Sequence, residues 1–230
     1  MTTDLVVTTC ERLPLLKQTL YHIWERTSPP YRLQVIDDAS TSGNGDYLRR
    51  LQVDGRIARA RIHKRRVGIP HHLRTLARIT LSDPVVFSDD DILCPKLEPD
   101  WLQRGLAAME ARPELGILAL NTPGCNVRHS RGDVEPAGDV TFCRNVPGSF
   151  CFVRRKVLAT CVPPDGVPSP VKWMCKRATD EGWRIGYLTH VYAQHTGPVS
   201  VRSGRNWSQD LKQVLPVDPE TLEPPEEYRW

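Results

Sequence analysis

Hydrophobic and polar positions change period several times along the chain, and each change marks an element. Leu5 to Thr9 (LVVTT) is a short β-rich run. Leu13, Leu16, Leu20, Ile23 and Trp24 then recur at helical spacing, with Pro14 suited to a first turn. Leu33 to Ile36 reads as a second strand, closing on Asp37-Asp38-Ala39-Ser40. Arg61 to His63 is a third short strand, and Pro70 opens a helix running to about Ile79. Pro84 to Ser88 (PVVFS) is a fourth strand, followed at once by Asp89-Asp90-Asp91. Asp100 to Ala111 has the cap region and period of a helix, and Ile117 to Leu120 those of a buried strand. Pro163, Pro164, Pro168 and Pro170 break the chain before a last helical pattern that ends at Gly182.

Strands alternating with helices predict a single α/β domain, a mostly parallel sheet with helices on both faces. A short antiparallel excursion is expected near residues 140–153. Ligands in such sheets bind beyond the carboxyl ends of the strands, where both acidic clusters fall. The longest apolar run is four residues, so no transmembrane span is expected, and nothing resembles a signal peptide. The seven cysteines are odd in number, scattered and never spaced C-x-x-C. That pattern speaks against a disulfide framework or a thiolate zinc site and for a cytoplasmic location.

Three adjacent carboxylates at Asp89, Asp90 and Asp91 repel one another, so a folded cluster needs a compensating cation, hydrogen-bond donors or water. The chemical reading is a divalent metal held by one or two carboxylates together with a substrate diphosphate. The bland one is a solvated turn and helix cap. For Asp37-Asp38 the bland reading is an Asx-type turn, helped by Ser40, Thr41, Ser42 and Gly43. Two acidic strand ends in one sheet favour a polar ligand, since a carboxylate there can accept from a nucleobase imide or a ribose hydroxyl.

Taken in order, these segments resemble the nucleotide-sugar glycosyltransferases of the GT-A fold, family 2 type. The likeness covers most of residues 4 to 197. It rests on "LVVTTCERLPLLKQTL", "VIDDAS", "RRVGIPHHLRTLA", the DxD-type "VVFSDDDILCP", "DWL", "VPGSFCFVRRKVL" and "EGWRIGYLTHVYAQHTG". The resemblance implies a transferase moving a sugar from a nucleoside diphosphate sugar, most simply a UDP-sugar, to an acceptor hydroxyl with Mn²⁺ or Mg²⁺. It implies that Thr8 and Glu11 line the nucleobase pocket, that Asp37 or Asp38 reads the base, and that Arg74 approaches the base or diphosphate. Asp89 and Asp90 would meet the donor, Asp91 and His195 would ligate the metal, and Pro147-Gly148-Ser149 would form a tight loop beside sugar and acceptor. Where inverting members carry an acidic pair, this chain reads Pro168-Ser169-Pro170-Val171, and Asp165 is the nearest upstream acid. Either Asp165 takes the acceptor's proton, or a retaining mechanism lets the leaving diphosphate take it.

Charge alters this picture in two places. Net charge is only +4, yet Arg56 to Arg66 holds six Lys/Arg and one His among eleven residues, with no acid. Such a run suits a solvated edge, or a phosphate-bearing acceptor such as a hydroxylated base in DNA. After His195, Arg202 and Arg205 lie in a polar, glycine-containing stretch suited to closing on the donor diphosphate, and 201–230 ends in a Pro- and acid-rich tail. The nucleotide-binding half is expected over about 1–95 and the acceptor side over about 96–200. Two other classes stay open on these residues: a nucleotidyl or phosphoryl transferase using the aspartates, and a non-enzymatic nucleic-acid-binding module using the basic run.

Overall fold

The computed structural model describes residues 2–122 and 134–196. The strands are β1 (Thr3–Thr9), β2 (Tyr31–Asp37), β3 (Arg59–Ile62), β4 (Val85–Asp89), β5 (Ile92–Leu93), β6 (Leu115–Asn121), β7 (Glu135–Ala137), β8 (Val140–Phe142), β9 (Phe150–Val153), β10 (Arg184–Tyr192) and β11 (Gln194–His195). The helices are α1 (Leu13–Arg26), α2 (Asn44–Val53), α3 (Gly68–Ile79), α4 (Trp101–Ala111), α5 (Arg155–Thr160) and α6 (Pro170–Asp180). Nine strands form one sheet in the order β3-β2-β1-β4-β9-β6-β10-β8-β7, and β11 pairs with β5 separately. Within the large sheet β9 runs against both β4 and β6, and β8 against β10 and β7. These are the antiparallel pairings expected near residues 140–153.

The alternation along the strands explains the two layers. On β1, Leu5 and Val7 face one core with α1, α2 and α4, while Val6 faces the other with α3, α5 and α6. Strand β9 repeats this, Phe150 and Phe152 on the first face, Cys151 and Val153 on the second. Trp101, fully buried, sets its ring edge-on to Phe150 at 4.8 Å and donates through Nε1 to Thr27 Oγ1 at 2.9 Å, which fixes α4 against the sheet. Asp100 caps α4 as expected, accepting from the Gln103 N–H at 2.9 Å.

Several details differ from the pattern-based expectation, among them β3, which was expected at Arg61 to His63 and runs over Arg59–Ile62. Helix α2 was not anticipated, because the turn residues Ser40 to Gly43 run straight into it and only Leu48 and Leu51 are its buried hydrophobics. Helix α3 begins two residues before Pro70, at Gly68, whose φ of +77° suits glycine. Strand β4 runs one residue further than Ser88 and includes Asp89, so the first aspartate is still on the sheet. The register then sets the site: Thr8 of β1 stands opposite Ile36 of β2 on one side and Asp89 of β4 on the other.

Candidate active site

At the end of β2 the two carboxylates are spent on the chain itself. Asp37 accepts from the Ser40 N–H at 3.1 Å and from the Ser40 hydroxyl, forming the turn its bland reading required. Asp38 accepts from the backbone N–H groups of Val67 at 2.7 Å and Gly68 at 3.1 Å, with His72 Nε2 3.5 Å away. These bonds clamp the loop that opens α3 onto the end of β2. Burial raises the Asp38 carboxyl, but His72 and the two N–H donors outweigh it and bring it down to about 2. Asp37 and Asp38 therefore hold the crevice wall, with no oxygen left unpaired.

The end of β4 is built the other way. Asp90 and Asp91 are 0% and 1% exposed, and one guanidinium spans them. Arg12 Nη2 donates to Asp90 Oδ1, and Nη1 to Asp91 Oδ2 at 2.5 Å. Asp90 also accepts from the Thr9 hydroxyl at 2.6 Å, and Asn44 Nδ2 donates to that hydroxyl at 2.9 Å. Burial pushes Asp90 up to about 6 despite Arg12. Asp89 is partly exposed; burial and the neighbouring Asp91 and Asp90 hold its carboxyl well above the ordinary range. Its side chain has only a long contact with Thr8 Oγ1, at 3.4 Å. Asp91 Oδ1 is buried and has no hydrogen-bond partner.

That orphaned oxygen faces a histidine from far along the chain. β11 pairs antiparallel with β5, His195 opposite Ile92, and places His195 Nε2 3.5 Å from Asp91 Oδ1. Thr196 fastens the crossing: its N–H and its hydroxyl both donate to the Asp91 carbonyl, at 2.8 and 3.1 Å. Among the described residues no set of three His, Cys, Asp or Glu gathers for a metal. The orphaned Asp91 oxygen and His195 fit a divalent ion as two protein ligands, whose remaining positions a diphosphate and water would fill. Just before β9, the Ser149 carbonyl accepts from the Asp89 N–H at 2.9 Å, and Ser149 Oγ is buried without a partner. A Cβ on Gly148 would come within 2.4 Å of Val171 on α6, so this loop reaches the site only as glycine.

Glu11 sits at φ +62° beyond β1 and accepts from the Thr41 N–H at 3.0 Å and from Arg66 at 3.0 Å. Those contacts, the Thr41 N–H foremost, hold its carboxyl below the usual range. Arg74 does not turn toward the aspartates: it pairs with Asp165 and donates to the Pro163 carbonyl at 3.3 Å. Asp165 is exposed in that pair, and Arg202 and Arg205 lie outside the described residues. Arg12 was missed in the sequence; its signal is the demand of three adjacent aspartates for a cation, met by an arginine just past the neighbouring strand.

A mostly parallel sheet with a reversed strand at its centre, and an acidic crevice at the carboxyl ends of β1, β2 and β4, defines a GT-A glycosyltransferase domain. The family model described as glycosyl transferase family 2 matches residues 4–134. The chain therefore belongs to glycosyl transferase family 2. Among solved structures it is similar to the mannosyltransferase PcManGT from Pyrobaculum calidifontis in complex with GDP-Man and Mn²⁺, at 20% identity and a TM-score of 0.68, over 88% of this chain and 58% of that one. Residues 1–349 of S. aureus TarS in complex with UDP-GlcNAc give 15% identity and a TM-score of 0.63, over 90% of this chain and 61% of that one. GalNAc-T7 with UDP, GalNAc and Mn²⁺ gives 12% and 0.68, over 85% and 44%. At these identities the likeness is one of fold, and the chain spans roughly half the length of these proteins. Comparison with curated proteins returns no match.

Proposed function

We propose that this domain transfers a hexose from a nucleoside diphosphate sugar, most simply a UDP-sugar, to an acceptor hydroxyl, with Mn²⁺ or Mg²⁺ bound at Asp91 and His195. The carrying observation is the buried, unpartnered Asp91 Oδ1 beside His195 Nε2, at the strand ends where such donors bind. A bound divalent ion would neutralise the diphosphate leaving group as the glycosidic bond breaks. Thr8, Glu11 and Asp38 position the wall against which the nucleobase lies, and Asp89 faces the ribose. Gly148 and Ser149 bound the space left for sugar and acceptor, with the Ser149 hydroxyl available to one of their hydroxyls. The nucleotide sugars held by the mannosyltransferase and by TarS support the donor class.

A thermal-shift panel of UDP-, GDP- and dTDP-sugars with and without Mn²⁺ tests this reading. One donor should raise the melting temperature, and more so with Mn²⁺. No shift at millimolar donor under any condition overturns it. Mass spectrometry of the products then separates sugar transfer from nucleotidyl or phosphoryl transfer by the mass the acceptor gains.

The basic run supports a second, narrower proposal about the acceptor. Arg56 lies over the Trp24 ring at 3.8 Å and Arg66 pairs with Glu11, whereas Arg59, Arg61, Lys64 and Arg65 are exposed. Strand β3 is the sheet edge, so its arginines also deter edge pairing. From β3 the run climbs to Arg66 at the crevice, a path suited to a phosphate-bearing acceptor such as a hydroxylated base in DNA. Binding of DNA should then weaken steeply with salt, and Ala at Arg59, Arg61, Lys64 and Arg65 should flatten that slope. Salt-insensitive activity removes this acceptor class. DNA binding without any donor-dependent shift would favour the non-enzymatic module instead. Among the described residues no helix is long and apolar enough to cross a membrane.

A further inference from the structure

Arg12 stands where a metal-binding crevice should least want a cation. Its guanidinium is bonded to both buried carboxylates, Asp90 Oδ1 and Asp91 Oδ2, and its side chain is itself only 23% exposed. Arg12 Nε is buried without a partner, so the side chain is held by the two aspartates alone. Asp90 is further locked by the Thr9 hydroxyl and, at 3.4 Å, the Cys10 N–H. The consequence is twofold. Asp91 presents one oxygen, Oδ1, and the guanidinium bonded to its other oxygen offsets part of its charge.

We infer that Arg12 is a positioning residue that keeps the metal site weak until the donor arrives: it screens Asp91 so that a divalent ion is retained only when a nucleoside diphosphate adds its own negative charge. The inference rests on the metal-dependent reading above. A fixed positive charge bonded to one ligand oxygen repels an ion at the other, in a buried setting where charges act strongly. The diphosphate restores the missing charge, so ion and donor bind as a unit. Arg12 holds Asp91 Oδ2, which leaves Oδ1 as the oxygen nearest His195.

The test is Mn²⁺ binding, followed by the electron paramagnetic resonance signal of the free ion, alone and with UDP or GDP. The wild-type domain should bind Mn²⁺ weakly alone and at least about tenfold more tightly with one nucleotide. R12Q should bind Mn²⁺ alone at least about tenfold more tightly than wild type, and gain correspondingly less from the nucleotide. A merely structural arginine predicts the opposite, since its loss would loosen the carboxylates. R12K, which keeps the charge, should stay within about threefold of wild type. If R12Q does not fold, R12Q/D90N removes the buried carboxylate left unpaired, and it should bind Mn²⁺ alone at least about tenfold more tightly than D90N, the variant that keeps Arg12. Unchanged or weaker Mn²⁺ binding in these glutamine variants overturns the inference, as does tightening by lysine equal to that by glutamine. Absence of Mn²⁺ binding in wild type with either nucleotide overturns the metal reading itself, a distinct outcome.

Discussion

The two acidic strand ends, Asp37-Asp38 and Asp89-Asp90-Asp91, look alike in the sequence and are opposites in the fold. At β2 every carboxylate oxygen has a donor from the chain, and Asp38 is pulled down to about 2. At β4 two buried carboxylates share one guanidinium, Asp90 is pushed up to about 6, and one Asp91 oxygen has no partner. A satisfied carboxylate is a fastening, whereas a buried unsatisfied one marks a place where something else is meant to bind. One strand between them, β1, serves both ends through Thr8, Thr9 and the loop that follows.

Substitution should separate the two ends by what is lost. If Asp91 holds the ion as proposed, Asp91→Asn at β4 should cost at least about 100-fold in transfer rate, since that charge would carry several kcal/mol of leaving-group stabilisation. The variant should stay folded but melt at a lower temperature, since it weakens the buried pair with Arg12, and near-native turnover would break the assignment. Asp38→Asn at β2 should act through stability, by about 2 kcal/mol, through loss of charge-assisted bonds from Val67 and Gly68. The pH dependence has a definite sign. Because Asp38 lies near 2 when folded against 3.8 as reference, its contribution is present above about pH 4 and is lost as pH falls toward 2. Acid titration of the melting temperature should show this loss in wild type and lack it in D38N.

The sequence made the layered sheet, most helices and both acidic ends legible, because hydrophobic period and turn residues are local signals. It did not tell the two ends apart, because the distinction lies in partners distant in the chain. Val67 and Gly68 reach Asp38 from across β3, and Thr196 reaches Asp91 over 105 positions. His195 came only through the family resemblance; no local pattern announces a histidine that a two-residue strand carries to β5. Helix α2 escaped because a ten-residue helix with two buried leucines has little period to detect, though its Asn44 supports Thr9 beneath Asp90.

A third change probes the segment that meets each end. The Val67-Gly68 backbone covers the Asp38 carboxylate, whereas Ser149 meets Asp89 through the backbone, its carbonyl accepting the Asp89 N–H. Gly148→Ala disturbs only the second, since its Cβ would meet Val171 Cγ2 at 2.4 Å. We expect about 1–2 kcal/mol of destabilisation with reduced transfer, and recovery of both in G148A/V171A. A G148A variant that needs no such relief would mean the loop is not pinned against α6.

The smallest effect should come from the pair that joins neither end. Arg74 and Asp165 were expected at the donor and as the acceptor's base, and they meet each other instead, Asp165 side chain 75% exposed. An exposed ion pair contributes little, so Asp165→Asn should change stability by less than about 1 kcal/mol. A general base has to stand free within reach of the acceptor hydroxyl, and its removal typically costs about 100-fold or more. A carboxylate in solvent, held by a guanidinium, meets neither condition, so turnover of D165N should stay within about threefold of wild type. That result would remove Asp165 as the base, and the anomeric configuration of the product, read by NMR, would then separate a retaining from an inverting reaction. A 100-fold loss with inversion would instead return Asp165 to the role of base and require the Arg74 pair to open during turnover.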